Sequence, residues 1–358
     1  MKNPIRFQIN IALFVALYAF FSCVVPPCSY GEYSSYRTFC PVTYSAAISP
    51  DGSRIAGGSD NPGFRVWDAK TGELIGHFIQ PHQDPISAVA FSGDSKYLAT
   101  GDIGMDVSRI LVWDLSTMEV VRTIEIPSNL SPPLGYLAPI TTVALSPNGD
   151  YVAAGREAES AGKYFAPSIF KVWAVEDGRE ILDIRQVSFP TQAGFLPSGN
   201  RLLVEGKMND VECGTIWDIF SGELLHTFEG RSVAISSNGK RVMTSTQGPY
   251  RLVWDAETGE KINTFFYEAG RVGFAALSPD GGMTLMRDYR SNATLLVDTD
   301  TDKVLRDFGN MGVPYSPHQA FTADGRFMIT VYANVVNMFD ISDLAAGVKQ
   351  AEEYEKRE

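Results

Sequence analysis

Apolar and polar positions along this chain alternate in short runs. Ser45–Ser49, Arg54–Gly58, Phe64–Asp68 and Glu73–Phe78 are the first four. A period of two over runs this short predicts strands, one face in and one face out. The joints between them are turn-forming: Ser49-Pro50-Asp51-Gly52 supplies the backbone angles a hairpin needs, and Lys70-Thr71-Gly72 makes a second tight turn. Later segments copy the order closely, as in Arg251–Asp255, Glu257-Thr258-Gly259 and Lys261–Phe265. Strand follows strand through turns, so the chain predicts an antiparallel meander and argues against a parallel sheet.

The unit recurs seven times. Its turns are Ser49-Pro50-Asp51-Gly52, Ser92-Gly93-Asp94-Ser95, Ser146-Pro147-Asn148-Gly149, Leu196-Pro197-Ser198-Gly199, Ser236-Ser237-Asn238-Gly239, Ser278-Pro279-Asp280-Gly281 and Thr322-Ala323-Asp324-Gly325. Two residues before each turn stands a small residue: Ala47, Ala90, Ala144, Gly194, Ala234, Ala276 or Ala320. A large apolar residue follows it: Ile48, Phe91, Leu145, Phe195, Ile235, Leu277 or Phe321. Downstream comes an aromatic or apolar residue and, with one exception, an acid. These steps are Trp67-Asp68, Trp113-Asp114, Trp173-Ala174, Trp217-Asp218, Trp254-Asp255, Val297-Asp298 and Phe339-Asp340, and they take all five tryptophans. The small position predicts an innermost strand where seven sheets converge, and its large neighbour predicts filling between sheets.

The Trp-Asp steps, the Ser-Pro-Asp-Gly turns and a period of roughly forty residues resemble the WD-repeat β-propeller family over about residues 36–343. The resemblance implies an all-β fold: a seven-bladed β-propeller of four-stranded antiparallel blades. The last unit lacks a fourth strand, so the segment Tyr36–Val42 is expected to complete that blade and close the ring. Members of the family open each repeat with a His that joins a buried network with Asp, Ser/Thr and Trp. Here only His82 falls near that place. The other blades are therefore expected to hold their edges by packing alone, and related propellers without the network remain an alternative.

Composition refines the picture at the ends. Lys2 and Arg6 precede the apolar run Ile11–Val25, and Ser29-Tyr30-Gly31 offers small residues for a cut before Glu32. Residues 1–31 thus read as an export signal, 32–343 as the propeller and 344–358 as an acidic helix or tail. The alternative is a membrane anchor through residues 11–25. Loss of residues 1–31 removes Lys2 and Arg6 and no acid, taking the formal charge of −12 to −14. Such a surface repels phosphate backbones, which argues against a nucleic-acid partner. Cys23 and Cys28 fall in the signal. Cys40, on the expected closing strand, and Cys213 are expected to stand too far apart to bridge.

Catalytic and metal-ligating patterns are missing from the sequence. His77, His82, His226 and His318 show no metal-ligand spacing and there is no nucleophile elbow, so neither metal nor cofactor is expected. His77 and His226 hold equivalent outer-strand places and read as solvated. What stands out is loop length between the second and third strands: Gly101–Arg109, Gly155–Ser168 and Glu205–Gly214 in blades two to four, with the long connection Ile126–Pro139 between blades two and three. In the family's geometry these emerge on one face. Met105, Asp106, Tyr136, Arg156, Tyr164, Phe165, Met208 and Asp210 are the candidate contacts for a protein or peptide partner. The expectation is an exported, non-catalytic interaction scaffold. The alternative is an enzyme or small-ligand binder using the central channel.

Overall fold

The computed structural model describes residues 33–344 with short breaks in the connections, the longest at 128–137 and 310–317. Within them stand seven four-stranded antiparallel blades, with inner strands Thr43–Ile48, Ile86–Phe91, Ala138–Leu145, Ser188–Phe195, Arg231–Ile235, Val272–Leu277 and His318–Phe321. The expected propeller is the observed fold. Its seventh blade is completed from the N-terminal side by Tyr33–Arg37, which pairs with Val335–Asp340 from Tyr33↔Phe339 to Arg37↔Val335. The closing strand lies upstream of the expected Tyr36–Val42, because the ladder starts at Tyr33. Cys40 and the tail beyond Leu344 lie outside the described residues. Cys213 is a free, buried thiol whose pKa burial pushes up.

The repeated turn residues each have a visible task. The hydroxyl at the first turn position accepts the N–H five residues on, as in Arg54 N–H to Ser49 Oγ at 2.8 Å and Met283 N–H to Ser278 Oγ at 2.8 Å. It donates in turn to the acid two residues on, Ser49 to Asp51 and Ser278 to Asp280 at 2.6 Å. The fourth position needs a positive φ, met by Gly52 at 71° and, in the blade-two turn that lacks Gly, by Ser95 at 61°. Neighbouring turns are tied to each other: Asp94 N–H to Pro147 O at 2.8 Å, Asn238 N–H to Pro279 O at 2.9 Å, and Ala323 N–H to Pro50 O at 2.8 Å across the seam.

Packing between blades follows the repeat. Trp113 of blade two lies against Phe64 and Phe78 of blade one, Trp254 against Phe228 of blade four, and Phe339 against Phe308 of blade six. The large residue before each turn joins the same junctions, Phe91 with Val66 and Ala56, Ile48 with Met338 across the seam. Blade six is the exception: Val297 packs with Met286 and Leu295 of its own blade.

Blade two carries the full polar network. His82 Nδ1 lies 3.1 Å from Asp102 Oδ2 and Nε2 lies 2.7 Å from Thr100 Oγ1, which accepts from Trp113 Nε1 at 3.0 Å. Asp102 Oδ1 also accepts the Arg109 N–H at 2.6 Å. All of it is buried, with Thr100 and Asp102 at 0% exposure, where an unpaired polar group would be costly. The expectation that the remaining blades rely on packing alone needs correcting. Trp254 donates to Thr244 Oγ1 at 2.9 Å, and that hydroxyl donates to Glu229 O at 2.6 Å, a carbonyl standing in for the missing His. Trp217 bonds Thr215 at 2.9 Å. His226 is not simply solvated either: its Nε2 sits 2.8 Å from Glu257 O of the next blade.

The acid of the Trp-Asp step caps the following turn. Asp114 Oδ1 accepts the Ser116 N–H and hydroxyl at 2.7 and 2.6 Å, and Asp255 Oδ1 accepts Glu257 and Thr258 N–H at 2.8 Å. These bonds favour the ionised form. The Ser116 hydroxyl lowers the Asp114 pKa, the Ser342 hydroxyl that of Asp340, and backbone N–H groups those of Asp218 and Asp255.

Two outcomes follow. Thr100→Val, which strips both Trp113 and His82 of their partner, should lower the free energy of unfolding by about 2–4 kcal/mol in urea titration. A loss under about 1 kcal/mol would mean that packing suffices in blade two as well. A carboxylate with a depressed folded pKa stabilises fully above its unfolded value and loses that contribution as pH falls through the folded one. Stability should therefore fall below about pH 4, and the triple variant Asp114→Asn, Asp218→Asn, Asp255→Asn should show a shallower decline in thermal midpoint between pH 4 and 2.5 (roughly the range where carboxylates protonate). Parallel declines would remove these turns from the acid response.

Candidate interaction face: the hairpin arms of blades two to four

The long segments of blades two and four are not loops. In blade two the second and third strands run on as Tyr97–Gly104 and Val107–Asp114, and the fourth, Glu119–Pro127, follows the third out to Val107↔Pro127. In blade four the ladder continues to Met208↔Val211, with Asn209 and Asp210 both in the left-handed region at φ 52° and 63°. That is the two-residue turn that matches strand twist, and Asn and Asp tolerate it best. Blade three inserts a separate small hairpin, Glu159–Ala161 against Tyr164–Ala166. Regular pairing satisfies the backbone groups that a mobile loop would leave to water.

Arm two is also braced from the side. The inner strand of blade three begins by pairing with it, Ala138↔Gly104 and Pro139↔Ile103, so blades two and three share one eight-stranded sheet. Arg122 reaches across the same junction at its other end and donates to Val175 O at 2.6 Å and to Glu176 O. Between the outer strand of blade two and blade three lies a cleft of about 550 Å³ lined by Ile126, Trp173, Lys171, Glu180, Asp183 and Arg185. Its charges answer one another: Lys171 meets Glu180 at 2.8 Å and Arg185 meets Asp183 at 2.8 Å. Above it Arg109 meets Glu125 at 3.3 Å, while burial and the nearby Asp102 hold the Asp84 carboxyl above its usual range.

The candidate contacts divide. Met208 and Asp210 meet on arm four, Met208 half-buried and Asp210 exposed. Tyr164 and Phe165 lie on the second strand of the blade-three hairpin. Met105, Asp106 and Tyr136 lie outside the described residues. Arg156 is a correction: it is 1% exposed, and its Nη1 donates to Pro127 O at 3.1 Å, binding blade three to the end of blade two rather than facing solvent. An Arg at a strand end reads as surface in the sequence, and only the approach of the neighbouring blade buries it.

Two exposed residues on this face are not among the candidate contacts, Phe189 because it lies outside the long segments and Val211 although it lies within Glu205–Gly214. Phe189 is 43% exposed and Val211 62%. Phe189 has φ 51°, and Lys207 Nζ stands 5.2 Å from the centre of its ring. The one hint in the sequence is Phe189-Pro190 at the mouth of an inner strand, where Pro forbids a regular ladder. Among the described residues no group of three or more His, Cys, Asp or Glu side chains is placed to hold a metal ion.

The known proteins agree with this architecture. The family described as WD domain, G-beta repeat, matches residues 72–114, the segment that holds His82, Thr100, Asp102 and Trp113. The periodic tryptophan protein 2 homolog of Dictyostelium discoideum is 28% identical over 225 residues, 61% of this chain and 22% of that protein. The human angio-associated migratory cell protein is 25% identical over 222 residues, 59% of this chain and 44% of that one. The chain thus spans less than half the length of these relatives. Among solved structures, the WD40 repeats of RRP9 superpose with a TM-score of 0.65 at 14% identity, covering 86% of this chain and 97% of that one. U3-55K does so with 0.66 at 13%, covering 87% and 98%. WD40 propellers commonly serve as protein-interaction scaffolds and are mostly non-catalytic. With seven closed blades, the Trp-Asp steps and a complete His-Asp-Thr-Trp network in blade two, the chain has the fold of a WD40 β-propeller.

Proposed function

We propose that this propeller is an exported, non-catalytic scaffold that presents the arms of blades two to four to a protein or peptide partner. One observation carries the reading: insertions in three consecutive blades are built as paired hairpins, one of them braced by the next blade. Such arms lose little conformational entropy when a partner docks, which favours recognition over passive tolerance of extra length. Export fits the same geometry, since a cut before Glu32 would leave the closing strand Tyr33–Arg37 whole. The acidic balance of the chain suits a basic partner.

The test is affinity capture from extract of the native compartment with residues 32–358, beside a variant with Tyr136, Tyr164, Phe165 and Met208 each replaced by Ser. A partner held by the parent and reduced at least about tenfold by the variant (~1.4 kcal/mol or more), at equal thermal midpoints, is the expected result. Equal capture by both would remove the arms from the interface. For export, the mature chain should begin at Glu32 by N-terminal mass spectrometry of the secreted fraction. An intact residue 1 in the membrane fraction would instead support the anchor.

A further inference from the structure

Blade four departs from its neighbours at one point. Where an inner strand of the described blades carries a bulge near its start, it holds one extra residue, as between Ile86 and Ala88 or Ile140 and Thr142. In blade four the register jumps from Ser188↔Lys207 to Gln192↔Glu205, so four steps on one strand meet two on the other. Two residues are extruded, and Phe189 is turned outward in a left-handed conformation that a bulky residue adopts only when its surroundings impose it.

Those surroundings are specific. The Ser188 hydroxyl donates to Lys207 O at 3.2 Å, the Phe189 N–H donates to Ser168 Oγ at 3.0 Å, and the Thr141 hydroxyl donates to Pro190 O at 2.6 Å. Gly206 leaves room for the bulge, since a Cβ there would fall 2.5 Å from Val187 Cγ1 and 2.8 Å from Ser188 O. Two blades thus hold one strained, half-exposed aromatic in place, and strain kept in this way points to use.

The next strands show what it would meet. Ser188 pairs with Lys207 and Lys207 with Glu212, so Phe189 and the start of the third strand lie about 10 Å apart, two strand spacings. There Val211, 62% exposed, stands between Asp210 and Glu212. No Lys or Arg of the described residues forms an ion pair with either carboxylate. Lys207, the cross-strand partner of Glu212, holds its ammonium 5.2 Å from the centre of the Phe189 ring. The surface therefore offers two exposed apolar side chains, Phe189 and Val211, and two carboxylates that stand outside the ion pairs of the described residues, all carried on a paired ladder.

We propose that the strained Phe189, with Val211 between Asp210 and Glu212 on arm four, docks a peptide segment in which apolar side chains are flanked by Lys or Arg. Phe189 and Val211 receive the apolar residues, and the two carboxylates select the basic flanks. The inference rests on the scaffold reading and names the chemistry of its partner.

The experiment is selection of a displayed random dodecapeptide library on the full chain, with enriched peptides then measured by fluorescence anisotropy on two variants. Phe189→Asn removes the ring while suiting the left-handed backbone, and Asp210→Asn with Glu212→Gln removes charge without disturbing the turn. Enriched peptides should carry Lys or Arg beside apolar residues. Each variant should weaken them at least tenfold, and the charge variant should also flatten the dependence of affinity on salt. The Phe189→Asn thermal midpoint should be unchanged or raised. A lowered midpoint would assign Phe189 to packing and overturn the proposal. Acidic or neutral peptides, or basic ones that bind both variants undiminished, would overturn this site while leaving the scaffold reading standing. An empty selection would overturn peptide docking here, and the capture experiment would decide the scaffold reading separately.

Discussion

No blade of this protein can bury its own faces. Each is a four-stranded sheet apolar on both sides, and the buried clusters of the described residues, one within blade six excepted, lie at the junctions: Phe64 and Val66 with Phe91 and Trp113 between blades one and two, Val172 and Phe170 with Leu202 and Trp217 between three and four. The hydrophobic term is therefore collected only when neighbours stack, and the last pair must meet across the seam. Ile55 and Trp67 against Met338, the Ala323–Pro50 hydrogen bond and the strand Tyr33–Arg37 perform that closure. Everything on the faces depends on it, since an open ring would leave strand edges to pair with other chains.

Polar groups then refine what packing permits. In blade two His82, Asp102, Thr100 and Trp113 satisfy one another in a fully buried site. Blade five keeps the Trp–Thr bond and lets a backbone carbonyl accept from the threonine. Blade six has dispensed with the tryptophan. The repeat tolerates this graded loss because the residue at the step serves first as buried apolar volume and only second as a hydrogen-bond donor. The segment matching the family is the one that keeps His82 and Asp102 beside the Trp–Thr pair.

The repeat is broken on one face, in blades two to four. The extensions of blades two and four continue the strand ladder, so the face they form is stiff. Stiffness turns a tolerated insertion into a usable surface, because a partner need not order it. The extruded residues of blade four are the sharpest departure. There Ser168, Thr141 and Gly206 together hold Phe189 in a conformation that its own chemistry resists.

The fold was legible from residue types alone, for a physical reason: small, large, turn and Trp-Asp positions each answer to a local steric demand that recurs seven times. The extension of blade four that carries Met208 and Asp210 was legible too, since extra length between strands shows in spacing. Arg156 was not, because its burial comes from Pro127 of the preceding blade, 29 residues away. Nor was Phe189, whose exposure depends on a register count between two strands and on hydroxyls from the neighbouring blade. Local sterics are written in sequence and survive repetition. Which side chain a neighbouring blade covers, and which it pushes outward, is decided only when the ring closes.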